Sequence, residues 1–268
     1  MVTVENNLIG LEKNQNICTL TLNRPHKRNS LSPELVKLLL ITFEQLASDD
    51  SIRVVVLRGA GDEAFCSGYD IRSLPTVLDD NVQEKLERLK PIESLFQAVV
   101  NYPFPVIAML NGMAFGAGCE LAVCCDIRIG AEDIRMGMPP AKLGMVYPWE
   151  GLKRFIQVIG LRGTREMFFT GHTYRGSRLK ELGLVDHLVP RDELTSFTYQ
   201  MAQEIAANAP LSLKGTKKVI NLLLDSIQLE EENRIKARSL TQAAFLSEDV
   251  KEGQLAFLEK RKPQFKGR

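Results

Sequence analysis

The chain has no run of about 18 apolar residues, the length a helix needs to cross a bilayer, so no membrane-spanning helix is expected. Residues 1–8 are polar and lack the apolar segment and small-residue cleavage site of a secretory leader; the expected location is cytoplasmic. An excess of charge of one sign is also missing, since 34 Lys and Arg against 33 Asp and Glu leave a formal net charge of +1. That balance excludes the broad basic surface on which nucleic-acid or anionic-membrane binding rests, and any anionic ligand must be met by local groups. Histidine is scarce: His26, His172 and His187 show no metal-ligand spacing to one another, and no metal is expected. The five cysteines (Cys18, Cys66, Cys119, Cys124 and Cys125) are odd in number and form no repeated Cys-x-x-Cys pair. Four of them sit in apolar contexts, where a thiol packs as a small hydrophobe, so reduced, structural cysteines are expected.

What is present is the composition of a globular protein, 44% hydrophobic and 25% charged over 268 residues, enough for a sizeable core without disulfides or metal. Strand patterns at residues 6–11 and 17–23 precede the turn-rich Arg24-Pro25-His26-Lys27-Arg28-Asn29. Ser32 and Pro33 are placed as N-cap and first residue of a helix, in which Leu35, Leu38, Leu39, Phe43 and Leu46 recur at helical spacing. The continuous β-branched run at 52–57 predicts a strand buried on both faces of a parallel sheet. The pattern then repeats as a helix over 82–100, a buried strand over 105–110, and a glycine-rich loop over 112–118 leading into an apolar helix over 119–125. This alternation is α/β. Beyond residue 192 strand patterns cease and helical ones dominate, which divides the chain into a core over 1–195 and a helical region over 196–268.

Two glycine-bearing turns follow buried strands, at the strand ends where α/β proteins bind ligands: Phe65-Cys66-Ser67-Gly68-Tyr69-Asp70-Ile71-Arg72 and Asn111-Gly112-Met113-Ala114-Phe115-Gly116-Ala117-Gly118-Cys119-Glu120. Gly68, Gly116 and Gly118 allow sharp turns that leave the N–H groups of Tyr69 and Ala117 pointing outward as two converging donors, an oxyanion hole. Glu120 lies three residues after Ala117, one helical turn along the same face, within reach of atoms beside a polarised carbonyl. The competing reading, that the glycines only permit tight turns and that Glu120 is an ordinary solvated glutamate, stays open on spacing alone. A dinucleotide-binding module is disfavoured, because Gly112, Gly116 and Gly118 do not fit Gly-x-Gly-x-x-Gly and no acidic residue closes a strand about 20 positions later. Near-zero net charge likewise disfavours an RNA-binding role.

These two segments resemble the paired oxyanion-hole signatures of the crotonase (enoyl-CoA hydratase/isomerase) family. Further matches run nearly end to end: Leu22-Asn23-Arg24-Pro25, Glu181-Leu182-Gly183-Leu184-Val185, and Ala256-Phe257-Leu258-Glu259-Lys260-Arg261-Lys262-Pro263. The resemblance implies a spiral of ββα units with a C-terminal helical trimerisation region, and trimers that often pair as hexamers. It implies an acyl-CoA thioester substrate, no separate cofactor, and a thioester oxygen held between the N–H groups of Tyr69 and Ala117. By the same resemblance Cys66, Gly68, Asp70, Ile71, Arg72 and Gly116 line the substrate site, and Lys27, Arg28, Arg72 and Lys260 meet the CoA phosphates. Where typical hydratases carry a second glutamate, this chain has Pro140, in Pro139-Pro140-Ala141-Lys142-Leu143-Gly144, followed by Tyr147. Loss of such an acid/base group costs about 10²–10⁴-fold in rate, which counts against efficient hydration; the set looks most like the methylmalonyl-CoA decarboxylase type, which also has proline at that place and a tyrosine after Leu-Gly-x-x, although Tyr69 stands where that type has histidine. In that reading Tyr147 bonds the substrate's β-carboxylate and CO₂ leaves an enolate without a general base. Hydration or isomerisation by Glu120 alone is the alternative. Trp149, Phe168 and Phe169 read as packing residues, with a possible lining role for Trp149 beside Tyr147.

Overall fold

The computed structural model describes residues 8–70, 82–225 and 229–268, with side chains in the second stretch described from residue 90. Ile71 and Arg72 therefore lie outside the described residues. The chain opens on a hairpin in which β1 (Ile9–Asn14) and β2 (Ile17–Leu22) pair antiparallel, Ile9 opposite Leu22 and Asn14 opposite Ile17. Gln15, at φ 52°, makes the reversal, so the first strand runs on through Lys13 and Asn14 beyond the pattern at 6–11. α1 (Pro33–Ala47) starts where its cap predicts: Ser32 Oγ accepts the Leu35 N–H at 3.3 Å, a bond worth about 1 kcal/mol. Its buried stripe is Leu35, Val36, Leu39, Phe43 and Leu46.

β3 (Val54–Gly59) begins two residues later than the apolar run suggests, because the Ile52 N–H bonds back to the Asp49 carbonyl and closes the turn after α1. From β3 to β8 successive strands alternate between two sheets. β4 (Ala64–Cys66), β5 (Val106–Leu110), β6 (Met113–Phe115), β7 (Ile127–Ala131), β8 (Arg135–Gly137), β9 (Thr173–Arg175) and β10 (His187–Val189) follow in chain order. The larger sheet has the order β1-β2-β3-β5-β7-β10, parallel from β2 onward; the smaller has the order β4-β6-β8-β9, antiparallel only between β8 and β9. Each strand pair is followed by a helix: α2 (Val82–Val100) after β3 and β4, α3 (Ala117–Val123) after β5 and β6, α4 (Trp149–Thr170) after β7 and β8. The result is the expected spiral of ββα units. Short β6 lies inside the stretch expected as a loop.

Val54, Val55, Val56 and Leu57 of β3 and every residue of β5 are buried, each Val, Leu, Ile and Met side chain contributing about 1.5–3 kcal/mol of transfer free energy. Both faces are covered, which is why these strands read as continuous apolar runs. After the short α5 (Ser177–Glu181), α6 (Leu194–Ala206) lies across β2, β3, β5 and β7, with its Tyr199 hydroxyl 2.5 Å from that of Thr19. The boundary at 195/196 falls within α6, and the helices that leave the sheet are α7 (Pro210–Asp225), α8 (Glu231–Leu246) and α9 (Glu248–Leu258). α7 is tied back by Lys217, a buried residue whose Nζ reaches Asp126 Oδ2 at 2.6 Å and the Phe104 carbonyl at 3.1 Å. α9 rests on the turn at Pro140–Leu143. A Cβ on Gly253 would lie 2.6 Å from the Leu143 carbonyl carbon, and one on Gly144 would lie 2.6 Å from that of Asp249, so the two backbones touch with no side chain between them. Among the described residues no helix is long and apolar enough to cross a membrane, and no group of three or more His, Cys, Asp or Glu could hold a metal ion.

Candidate active site

Just beyond β4 the chain is laid against Leu31. The Leu31 N–H donates to the Gly68 carbonyl and the Asp70 N–H to the Leu31 carbonyl, both at 2.8 Å. In this parallel bridge Tyr69 directs its own N–H to the side away from Leu31. Gly68 is at φ 110°, and a Cβ there would lie 2.9 Å from the Phe115 carbonyl oxygen and 3.8 Å from the Ala117 nitrogen, so the loop abuts the start of α3 only because it has no side chain. Gly118 is needed for the same approach from the other side, since a Cβ on it would lie 2.2 Å from the Cys66 carbonyl oxygen. Among the described residues, the N–H groups of Tyr69 and Ala117 have no protein acceptor. Arg24 braces the loop, with Nη2 3.2 Å from Asp70 Oδ2 and Nη1 2.6 Å from the Ser30 carbonyl.

Glu120 follows on α3 and is 2% exposed, which overturns the reading of a solvated glutamate. Both of its oxygens are taken. Arg154 Nη1 bonds Oε1 at 2.6 Å, and the Tyr147 hydroxyl donates to Oε2 through a short bond. Gly151 makes the space, because a Cβ there would lie 2.5 Å from Tyr147 Cε1 and 2.8 Å from Glu120 Oε1. Burial pushes the Glu120 carboxyl up to about 6; the charge of Arg154 and the hydrogen bonds from Tyr147 and Arg154 pull the other way, and the Glu93 carboxylate adds to the rise. The Tyr147 phenol is held well above its usual range by burial and by the neighbouring Glu120 charge. Arg154 is itself buried and forks to a second carboxylate, Glu93 on α2, with Nη1 3.1 Å from Oε2 and Nη2 in a short ion pair with Oε1. Its guanidinium carbon lies 5.5 Å from the centre of the Phe96 ring. Burial works against the charge on Arg154, but the Glu93 hydrogen bonds and the surrounding negative groups hold it firmly protonated.

The fold thus brings Gly68, Tyr69, Asp70, Gly116 and Ala117 to one place, and Glu120 and Tyr147 to direct contact. The Tyr147 hydroxyl, expected to meet a substrate carboxylate, donates to Glu120 instead. Cys66 is wholly buried beneath α3 with its thiol pushed up to about 12 by burial, and the other four cysteines are also free and buried. Pro140 is buried at the head of the turn on which α9 rests. Lys27, Arg28 and Lys260 are exposed; Arg28 pairs with Glu63 at 2.6 Å, and Arg28 and Lys260 sit at φ 52° and 56°. Sequence reasoning missed Arg154 and Glu93. The available signal was an arginine directly beside Phe155 on the buried face of α4, a position where a charge requires a partner.

Comparison with known proteins finds relatives that match over nearly the whole chain. The profile of the enoyl-CoA hydratase/isomerase family matches residues 12–268. The short-chain-enoyl-CoA hydratase of Clostridium acetobutylicum is 31% identical over 277 residues, spanning 99% of this chain and 100% of the relative. Among solved structures, methylmalonyl-CoA decarboxylase in complex with 2-nitronate-propionyl-CoA superposes with a TM-score of 0.90 at 28% identity, covering 97% of this chain and 99% of the other. Enoyl-CoA hydratase from Bacillus anthracis gives 0.76 at 31% identity, covering 97% and 100%.

Proposed function

The chain belongs to the enoyl-CoA hydratase/isomerase family, the crotonases, and on that premise we propose that it decarboxylates a malonyl- or methylmalonyl-type CoA thioester. The observation that carries this reading is that both oxygens of Glu120 are engaged, by Arg154 and Tyr147, while Pro140 stands where hydratases place their second carboxylate. A water clamped between two carboxylates has no counterpart here, whereas decarboxylation needs no base. The N–H groups of Tyr69 and Ala117 donate hydrogen bonds to the thioester oxygen. The bond between the α-carbon and the carboxylate breaks, its electron pair enters the thioester as an enolate, CO₂ departs, and a proton taken up from solvent is added at the α-carbon. Tyr147 has one hydroxyl proton to give, so it turns to the substrate carboxylate by exchanging Glu120 for it. The likeness to methylmalonyl-CoA decarboxylase supports the reading.

The position of Glu120 near pH 6 favours a second reading, isomerisation of an enoyl-CoA with Glu120 as sole proton carrier, because a carboxyl poised near the working pH both accepts and returns a proton. Incubation with crotonyl-, 3-enoyl-, malonyl-, methylmalonyl- and succinyl-CoA, followed by product mass, separates the two. Loss of CO₂ from a malonyl-type thioester is expected, and its absence alongside a shifted double bond would give the site to isomerisation. Ala117→Pro deletes one donor at a position where a helix tolerates proline and is expected to cost about 10²–10³-fold in turnover; near-normal turnover in the folded variant would remove the oxyanion hole from the scheme. No cofactor beyond the CoA moiety enters these steps. Lys27, Arg28 and Lys260 supply the cations for its phosphates. The exposed apolar side chains of α7 to α9, among them Leu211, Leu223, Ile235, Leu240 and Phe257, support a trimer or a dimer of trimers, checked as three or six times the 30.0 kDa chain by light scattering.

A further inference from the structure

Arg154 is shared unequally. Its two terminal nitrogens both engage Glu93, and one of them also serves Glu120. A guanidinium presents a rigid planar fork, so the carboxylate that occupies both prongs fixes its plane and its place, and a third oxygen takes what direction is left. The Glu93 side chain is 36% exposed and that of Glu120 is 3% exposed, so the outer carboxylate is anchored at the edge and the inner one has no solvent to turn to. We propose that Glu93 is a positioning residue for Glu120: by holding Arg154 from α2 it sets the guanidinium's place and its share of charge, and so fixes the direction and the charge state of the carboxylate beside the reacting carbon.

The groups that face Glu120 support this. α2 contributes Glu93, α3 the Cys119 and Cys124 thiols, and the approach to α4 and α4 itself contribute Tyr147 and Arg154; Glu150 faces Glu93 and Arg154 and is met by Arg238 of α8 at 3.9 Å. Arg154 is the cation that bonds Glu120 directly, and Glu93 is the acid that competes for it. Without Glu93 the full guanidinium charge falls to Glu120, and the ionised form of Glu120 gains.

The inference rests on the reading of Glu120 as the carboxylate beside the enolate, yet its deciding test, an infrared titration, uses no substrate, so it fails or stands apart from that reading. Infrared titration of the carboxyl band, with the Glu120→Gln spectrum subtracted, reads Glu120 alone. In the parent protein the midpoint is expected near about 6. Glu93→Gln should move it down by about one pH unit, while Glu93→Asp, which keeps the anion, should restore most of the parent value. In the functional assay the acid limb of α-proton exchange into an acyl-CoA in D₂O should move with it. A midpoint unmoved in folded Glu93→Gln, or moved equally by Glu93→Asp, overturns the proposal.

Discussion

Two of the buried cations among the described residues, Lys217 and Arg154, are provided for differently. Lys217 has one carboxylate, Asp126, and a backbone carbonyl; Asp126 is also bonded by the Val106 N–H at 2.7 Å, so charge is matched one to one across the seam between α7 and the sheet. Arg154 has two carboxylates and, through Glu120, a phenol. The matched pair is a fastening. The mismatched cluster carries surplus negative charge in a place with little water, which leaves Glu120 with a proton affinity that varies near neutrality, a property a fastening does not need and proton chemistry does.

The sharpest way to break this contrast is to remove each cation. Arg154→Met leaves the Glu120 carboxylate buried at pH 8 without a cation, its Tyr147 hydrogen bond remaining, with an expected loss of about 3–5 kcal/mol in urea unfolding, and a distinctly smaller loss at pH 5, where Glu120 takes a proton instead. Lys217→Met should cost less, about 2–3 kcal/mol, because the Asp126 side chain is one-third exposed. Its cost should change little between pH 5 and 8, and turnover per folded molecule should stay as it was. Equal pH dependence in the two variants would erase the distinction drawn between them.

Glu120→Gln sharpens it further. Because the folded protein raises this carboxyl from 4.5 to about 6, the native state binds a proton more tightly than the unfolded chain. Its contribution is therefore favourable below about pH 4.5 and is lost as pH rises through about 6, a swing of roughly 2 kcal/mol. The variant should lack that slope and gain stability over the parent at pH 8. Unfolding curves collected from pH 4 to pH 8 check both the sign and the size.

Much of the fold could be read from residues alone, where the signal was local. The Ser32-Pro33 start of α1, the buried runs of β3 and β5, and the helical pattern beyond residue 192 each depend on neighbours a few positions apart. Strand ends moved by two or three residues where a turn bond claimed the first residue, as at Ile52. The three-residue strands β4, β6, β8, β9 and β10 are too short for a period of two to declare itself. Glycine spacing located the Tyr69 and Ala117 turns, and helical periodicity located Glu120. What escaped was the set of partners around Glu120, because Tyr147, Arg154 and Glu93 are separated from it or from one another by 27, 34 and 61 residues. No local pattern encodes such meetings.

The contact of Gly144 and Gly253 with the opposing backbones at Asp249 and Leu143 has a mechanical consequence. A side chain between two segments acts as a cushion, since it can change rotamer and absorb a displacement; two peptide planes in contact have no such compliance. α9 and the turn that begins at Pro140 therefore form one stiff linkage, in which a tilt of the helix is delivered to the turn with little slack. A methyl group added at residue 253 would act as a wedge driven into that linkage: its first effect would be to displace the turn at Pro140, well before it loosened the helix that carries it.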